Sequence, residues 1–268
     1  MVVIITGASA GIGRELAMQL HQHGARLALA ARRVDRLNEL NASIGGQHLV
    51  VPCDVSKQQD CERLIAESHQ RFGRIDTLVC NAGYGIARAV AQTNAQEMLE
   101  IFRTNVFGTT DCIRAAVPIM QVQDKREGYR GQVMIVSSAA GRRGLPFFGA
   151  YSATKFAQLG LSEALRVELK PQQIAVTSVH PVGTDTEFFT VAERGTGIKV
   201  PSPGPGEVRQ PASTVARKMI AAIRRPRPEV WPLAIARYAI ILGILMPRVT
   251  DRVMAQYRGK LDAQAEAP

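Results

Sequence analysis

Tyr151 and Lys155 stand four residues apart in the stretch AYSATKFAQLGL, residues 150–161, a spacing that puts two side chains on one face of a helix. An ammonium held near a phenol favours the phenolate and lowers a pKa that is about 10 in isolation, bringing tyrosine into range as a proton donor and acceptor. The pair alone recurs by chance, and its position gives it meaning. Ser138 closes the apolar run Val133-Met134-Ile135-Val136-Ser137-Ser138, and open α/β sheets place their ligands at strand C-termini. A hydroxyl there can donate to a substrate oxygen as charge develops on it.

A second chemistry sits at the N-terminus, where an apolar run enters Thr6-Gly7-Ala8-Ser9-Ala10-Gly11-Ile12-Gly13 and then an amphipathic stretch. Glycines permit a tight turn and a close backbone approach, so that helix N-terminal amides can face a pyrophosphate. The spacing is GxxxGxG, and no Gly-Lys-Ser/Thr closes it, which excludes a P-loop. Dinucleotide binding is one reading; a merely tight corner is the other. The next apolar run ends in Ala31-Arg32-Arg33, where an NAD site usually carries an acid. Arginine there can pair with a 2′-phosphate through charge-assisted hydrogen bonds, so NADP is the expected cofactor and NAD the lesser alternative. A solvated helix start is the plainer reading of Arg32 and Arg33.

These residues need a frame. Short β-branched runs at 2–6, 26–30, 48–52, 76–80, 132–137 and 174–180 alternate with amphipathic stretches at 12–23, 34–43, 57–72, 95–121 and 152–169, the rhythm of right-handed βα crossovers. The expected fold is a three-layer doubly wound parallel sheet, a Rossmann fold, in one α/β domain with a C-terminal helical extension. The domain is expected to span 1–225. It includes a further helix at about 212–224 and a substrate loop at about 187–211 that is rich in proline and glycine. Residues 226–268 form the extension.

The glycine turn, Asp54, Asn81-Ala82-Gly83, Asn105, Ser138, Tyr151 and Lys155, in this order, resemble the classical short-chain dehydrogenase/reductase family. The resemblance covers about residues 1–190 in detail and implies a role for each matching residue. Tyr151 would protonate the carbonyl oxygen, Lys155 would hold the nicotinamide ribose and lower the Tyr151 pKa, and Ser138 would polarise the carbonyl. Asn105 would hold a water linking Lys155 to solvent. Gly7, Ser9, Ile12 and Gly13 would contact the cofactor phosphates, Asp54 and Val55 the adenine, and Asn81 and Ala82 the adenosine side, with Gly83 also at the cofactor. Thr186 would reach the nicotinamide carboxamide, and Pro181 would also bind the cofactor. Cys80, Val182 and Ala10 depart from the family's usual residues without removing a catalytic side chain. A regulatory protein that binds NADP without turnover, or an epimerase, dehydratase or enoyl reductase on the same fold, are the alternatives.

The chain of 268 residues is long enough for a real core, and its 46% hydrophobic content excludes a disordered polypeptide. Cys53, Cys61, Cys80 and Cys112 lack metal-ligand or disulfide spacing and are expected to pack; His180 reads as a structural strand-end residue. The N-terminus reads as a strand and not an export signal, so a cytoplasmic location is expected. Residues 139–150, with Tyr84, Phe188 and Phe189, form an apolar and aromatic wall, which points to a small lipophilic carbonyl or alcohol substrate. Of the net charge of +10, +6 lies beyond residue 216. No nucleic-acid-reading motif accompanies it. The apolar stretch 230–247 is too short in its charge-free part to span a bilayer, which leaves a lid or subunit-interface helix, or a peripheral membrane contact through 226–258. A homodimer or homotetramer is the expected assembly.

Overall fold

The computed structural model describes residues 1–194, 196 and 209–265, with side chains as far as Gln256. Residues 195 and 197–208, most of the loop expected to be rich in proline and glycine, lie outside the described residues, as do 266–268. Along the chain β1 (Val2–Thr6) leads into α1 (Gly11–Gln22), β2 (Arg26–Ala31) into α2 (Val34–Ser43), and β3 (Leu49–Pro52) into α3 (Gln58–Phe72). β4 (Thr77–Cys80) precedes α4 (Ala95–Phe102), which passes through one π turn at Arg103–Phe107 into α5 (Gly108–Val122). β5 (Gly131–Val136), α6 (Gly149–Glu168) and β6 (Ile174–Val179) complete the regular part. Shorter pieces follow: β7 (Thr184–Asp185), α7 (Phe188–Glu193), β8 (Gln210–Pro211), α8 (Ala212–Arg224), β9 (Glu229–Val230), α9 (Ala234–Leu245) and α10 (Pro247–Ala265).

The main sheet runs β3-β2-β1-β4-β5-β6-β9 and is parallel throughout. Its strands are apolar at successive positions because both faces are covered. Val3, Ile5, Leu27 and Leu29 pack under α1, α2 and α8, while Ile4, Leu78, Val133 and Ile135 meet α3 and α5 on the opposite face. The chain winds outward from β1 in one direction and from β4 in the other, so a crevice opens between their carboxyl ends. Thr6 pins that crevice: its Oγ1 donates to Val79 O and accepts from the amides of Asn81 and Ala82. The Asn81 side-chain amide donates back to Thr6 O and Gly7 O.

Two features differ from the sequence expectation. The stretch expected as one helix at 95–121 carries the π turn, which places Asn105 in the interior. The sheet also gains a seventh strand beyond residue 225, where Glu229 and Val230 pair with Ser178 and Val179. A strand of two residues, set between Pro228 and Pro232, is too short to show a period.

The glycine turn depends on the absence of two side chains. Gly7 sits at φ 67° in the left-handed region, and a Cβ on Gly13 would lie 2.4 Å from Gly7 O and 2.7 Å from the Asn81 side-chain nitrogen. Gly160, exposed on α6, has nothing within 4 Å of a built Cβ. We therefore expect Gly13→Ala to destabilise by about 1–3 kcal/mol through overpacking and Gly160→Ala to stabilise by about 0.5–1 kcal/mol through helix propensity. Urea unfolding of the two variants checks both signs.

Candidate active site

At the carboxyl ends of the strands lies a cavity of about 700 Å³. Helix α6 supplies Tyr151 and Lys155 one turn apart, both buried. Ser138 follows β5 as the N-cap of a short 3₁₀ turn, its Oγ accepting from the Ala140 amide at 3.1 Å. Burial pushes the Tyr151 phenol up to about 12, and a hydrogen bond with the Ser138 hydroxyl pulls the other way. The lysine ammonium lies 5.5 Å from the phenol ring centre and donates to Val136 O at 2.9 Å and Gln158 Oε1 at 2.8 Å. Burial without a carboxylate partner draws Lys155 down to about 7.

Asn105 owes its position to the π turn, a distortion that recurs at functional sites. Its side chain holds the Tyr84 backbone at both N–H and C=O and donates to Thr154 Oγ1 at 3.0 Å. The Gln158 amide donates to Asn105 O at 2.7 Å and accepts from Lys155, spanning the space between them. Gln158 was not singled out in the sequence; the available signal was a polar residue three positions after Lys155 on the inward face of α6.

Of the residues expected at a dinucleotide, Gly7, Ser9, Ile12, Arg32, Arg33, Asp54, Val55, Asn81, Ala82, Gly83, Pro181 and Thr186 border this cavity together with Ser138, Tyr151 and Lys155. Gly13 does not; it packs beneath the turn. Asp54 accepts from the amide and hydroxyl of Ser56. Helix α1 begins at Gly11 with no side-chain cap, so its first amides look toward the cavity without side-chain acceptors. Arg33 reaches Ser9 Oγ at 3.3 Å and pairs with Glu187 at 2.7 Å, and Arg36 pairs with the same carboxylate at 2.5 Å. Glu187 is the acid following Thr186, and its place opposite the arginines is a tertiary fact that spacing does not reveal.

The opposite wall is apolar. Leu145, Phe148, Phe188 and Phe189 line it, and the Phe188 ring lies 4.9 Å from Tyr151. Arg142 and Arg143, from the same loop, turn outward to Glu229 and Asp251. The four cysteines are buried and free, with Cys53 at the cavity edge. Among the described residues no cluster of His, Cys, Asp and Glu side chains could hold a metal ion. His180, wholly buried, stacks on Trp231 at 4.5 Å, meets Ser178 Oγ through Nε2 and Ser138 O through Nδ1. It supports the backbone of Ser138 from behind.

Comparison with known proteins agrees with this geometry. A family model described as short chain dehydrogenase matches residues 1–196. An uncharacterized oxidoreductase, YxnA, from Bacillus subtilis is 32% identical over 261 residues, 94% of this chain and 71% of that one. The 11-beta-hydroxysteroid dehydrogenase-like 4A of Arabidopsis thaliana is 38% identical over 185 residues, 67% of this chain, and the match spans only 60% of that protein's length. The solved structure of an alcohol dehydrogenase from Thermococcus sibiricus complexed with 5-hydroxy-NADP superposes with a TM-score of 0.75 at 26% identity, covering 86% of this chain and 94% of that one.

His180 also carries a pH signature. Burial lowers it to about 4 from an ordinary 6.5, so between those values the unfolded chain binds the proton more readily than the folded one. Its contribution is present in full above pH 6.5 and is lost as pH falls toward 4, about 3 kcal/mol in all. Denaturant unfolding at pH 7.5, 6 and 5 is expected to show a steeper loss for the parent than for His180→Gln; equal slopes would refute it.

Proposed function

The chain belongs to the short-chain dehydrogenase/reductase family of oxidoreductases, and on that premise we propose that it interconverts a lipophilic ketone or aldehyde with the corresponding alcohol, using NADP(H). One observation carries the reading: Ser138, Tyr151 and Lys155 border the same cavity as the glycine turn and the arginine pair that follows β2.

The residues present suit a dinucleotide. The uncapped start of α1 would offer amides to a pyrophosphate, and the missing side chain at Gly13 lets α1 pack closely under Gly7. Arg32 and Arg33, with no acid at the end of β2, favour a 2′-phosphate over a bare ribose. Glu187 competes for Arg33, while Arg36 shares its charge. When bound, the nicotinamide supplies or accepts a hydride. Tyr151, held protonated by burial, gives its proton to the carbonyl oxygen, and Ser138 donates a hydrogen bond to the same oxygen. The Lys155 ammonium stabilises the phenolate left behind. The aromatic wall favours an apolar substrate, in keeping with the name of the Arabidopsis relative.

The C-terminal hairpin fits a peripheral contact with an anionic lipid surface. No residue of α9 is buried, although it is apolar nearly throughout, and Ile235, Tyr238 and Leu245 are each at least two-thirds exposed. Twelve residues rise about 18 Å, short of the ~30 Å hydrocarbon core, and no described helix is long and apolar enough to cross a membrane. Arg224, Arg225, Arg227, Arg248 and Arg252 are exposed around it. Isologous pairing of two such faces would set like charges together, whereas anionic head groups complement them.

NADPH oxidation across a carbonyl panel is expected to rise with substrate apolarity and to fall about 100-fold or more in Tyr151→Phe. Tight NADPH binding with no Tyr151-dependent turnover would favour a regulatory protein instead. Arg32→Ala is expected to weaken NADPH about 10-fold or more with NADH little changed, while Glu187→Gln tightens NADPH. Flotation with phosphatidylserine vesicles should retain the parent and lose Ile235→Glu/Leu245→Glu; a dimer dissociated by those changes, without flotation, would identify a subunit interface.

A further inference from the structure

We infer that Gln158 is a positioning residue for the reaction: its side-chain amide fastens the Lys155 ammonium to the backbone of the π turn and closes the inner side of that ammonium to proton exchange. The role in turnover rests on the reading proposed above; the contacts themselves do not.

Gln158 is wholly buried on α6, three residues beyond Lys155. Its Oε1 accepts from Lys155 Nζ at 2.8 Å, and its Nε2 donates to Asn105 O at 2.7 Å and Thr109 Oγ1 at 3.0 Å. The orientation of the amide is determined by its partners, since lysine can only donate and a carbonyl can only accept. Thr109 completes the set by donating its own hydroxyl to Asn105 O at 2.8 Å. Every polar atom of Gln158 thus has a partner, which a buried amide requires. An apolar side chain in its place would leave Lys155 short of an acceptor.

The chemistry follows from those contacts. Of three ammonium donors, one goes to Val136 O and one to Gln158; the third is left to address the cavity that Lys155 borders. An amide accepts at oxygen and donates at nitrogen without passing a proton between them, so Lys155 exchanges protons on its cavity side. The groups that face it are few. Tyr151 and Gln158 come from α6, the Val136 carbonyl ends β5, Asn105 lies on the π turn, and Gly83 follows β4. Cys80 of β4, its thiol held up by burial, points to Thr109 O. None brings a carboxylate, so neutral acceptors alone hold the charge, and changing one of them should move the lysine's titration in a direction set by the replacement.

The test uses full-length protein with ¹⁵N-labelled lysine, the Lys155 Nζ resonance being assigned by its loss in Lys155→Met. Gln158→Leu removes an acceptor and should lower the Lys155 titration midpoint by about one pH unit; Gln158→Glu adds a carboxylate and should raise it by at least as much. The alkaline limb of kcat/KM should move with it, down in one variant and up in the other. Shifts in the same direction, or no shift in folded variants of unchanged melting temperature, would overturn the inference. Should Gln158→Glu fail to fold, Gln158→Leu and Gln158→Met must still both lower the midpoint. Opposite titration shifts in a protein whose Tyr151→Phe variant retains activity would uphold the Gln158 contact and refute the proposed reaction.

Discussion

A buried ammonium with no carboxylate beside it is the constraint around which this active site is organised. Burial of Lys155 favours its neutral form, and the fold answers with oriented neutral acceptors: a carbonyl at the end of β5 and the amide of Gln158. Those acceptors in turn require support. The π turn brings Asn105 into the interior, Asn105 O receives both Gln158 and Thr109, and the Asn105 side chain holds the Tyr84 backbone at the cavity rim. A charge that could have been neutralised by one acid is instead shared by three elements, which keeps it available to the cavity and sensitive to its neighbours.

A second electrostatic pattern links the edges of the site. Glu187, just before α7, reaches across the cavity to Arg33 and Arg36, and Arg142 and Arg143 behind the catalytic loop reach Glu229 and Asp251 near the C-terminus. The exposed pairs add little stability, but Glu187 joins the segment that carries Phe188 and Phe189 to the start of α2. His180 and Trp231, stacked between β6 and the segment after β9, make the corresponding contact in the interior. The C-terminal segment therefore includes a strand of the main sheet and a support for Ser138, besides its exposed helices.

Much of this was legible in the residues. The alternation of apolar runs with amphipathic stretches determined a doubly wound parallel sheet, because strands covered on both faces must be apolar throughout and their crossovers must be helical. Gly7 and Gly13 announced a turn where backbone passes backbone, and Tyr151 with Lys155 shared a helix face by spacing alone. Ser138 at a strand end and Arg32 after β2 were placed by the same local logic. What only the tertiary structure decided are contacts between residues far apart in sequence: Gln158 with the Asn105 carbonyl, Glu187 with Arg33, His180 with Trp231, and β9 added to β6. It also decided the balance at Tyr151, where burial outweighs the hydrogen bond with Ser138. Periodicity and spacing report which face of an element is inward; desolvation and hydrogen-bond partnership depend on what the other elements bring to that face, and no local pattern encodes them.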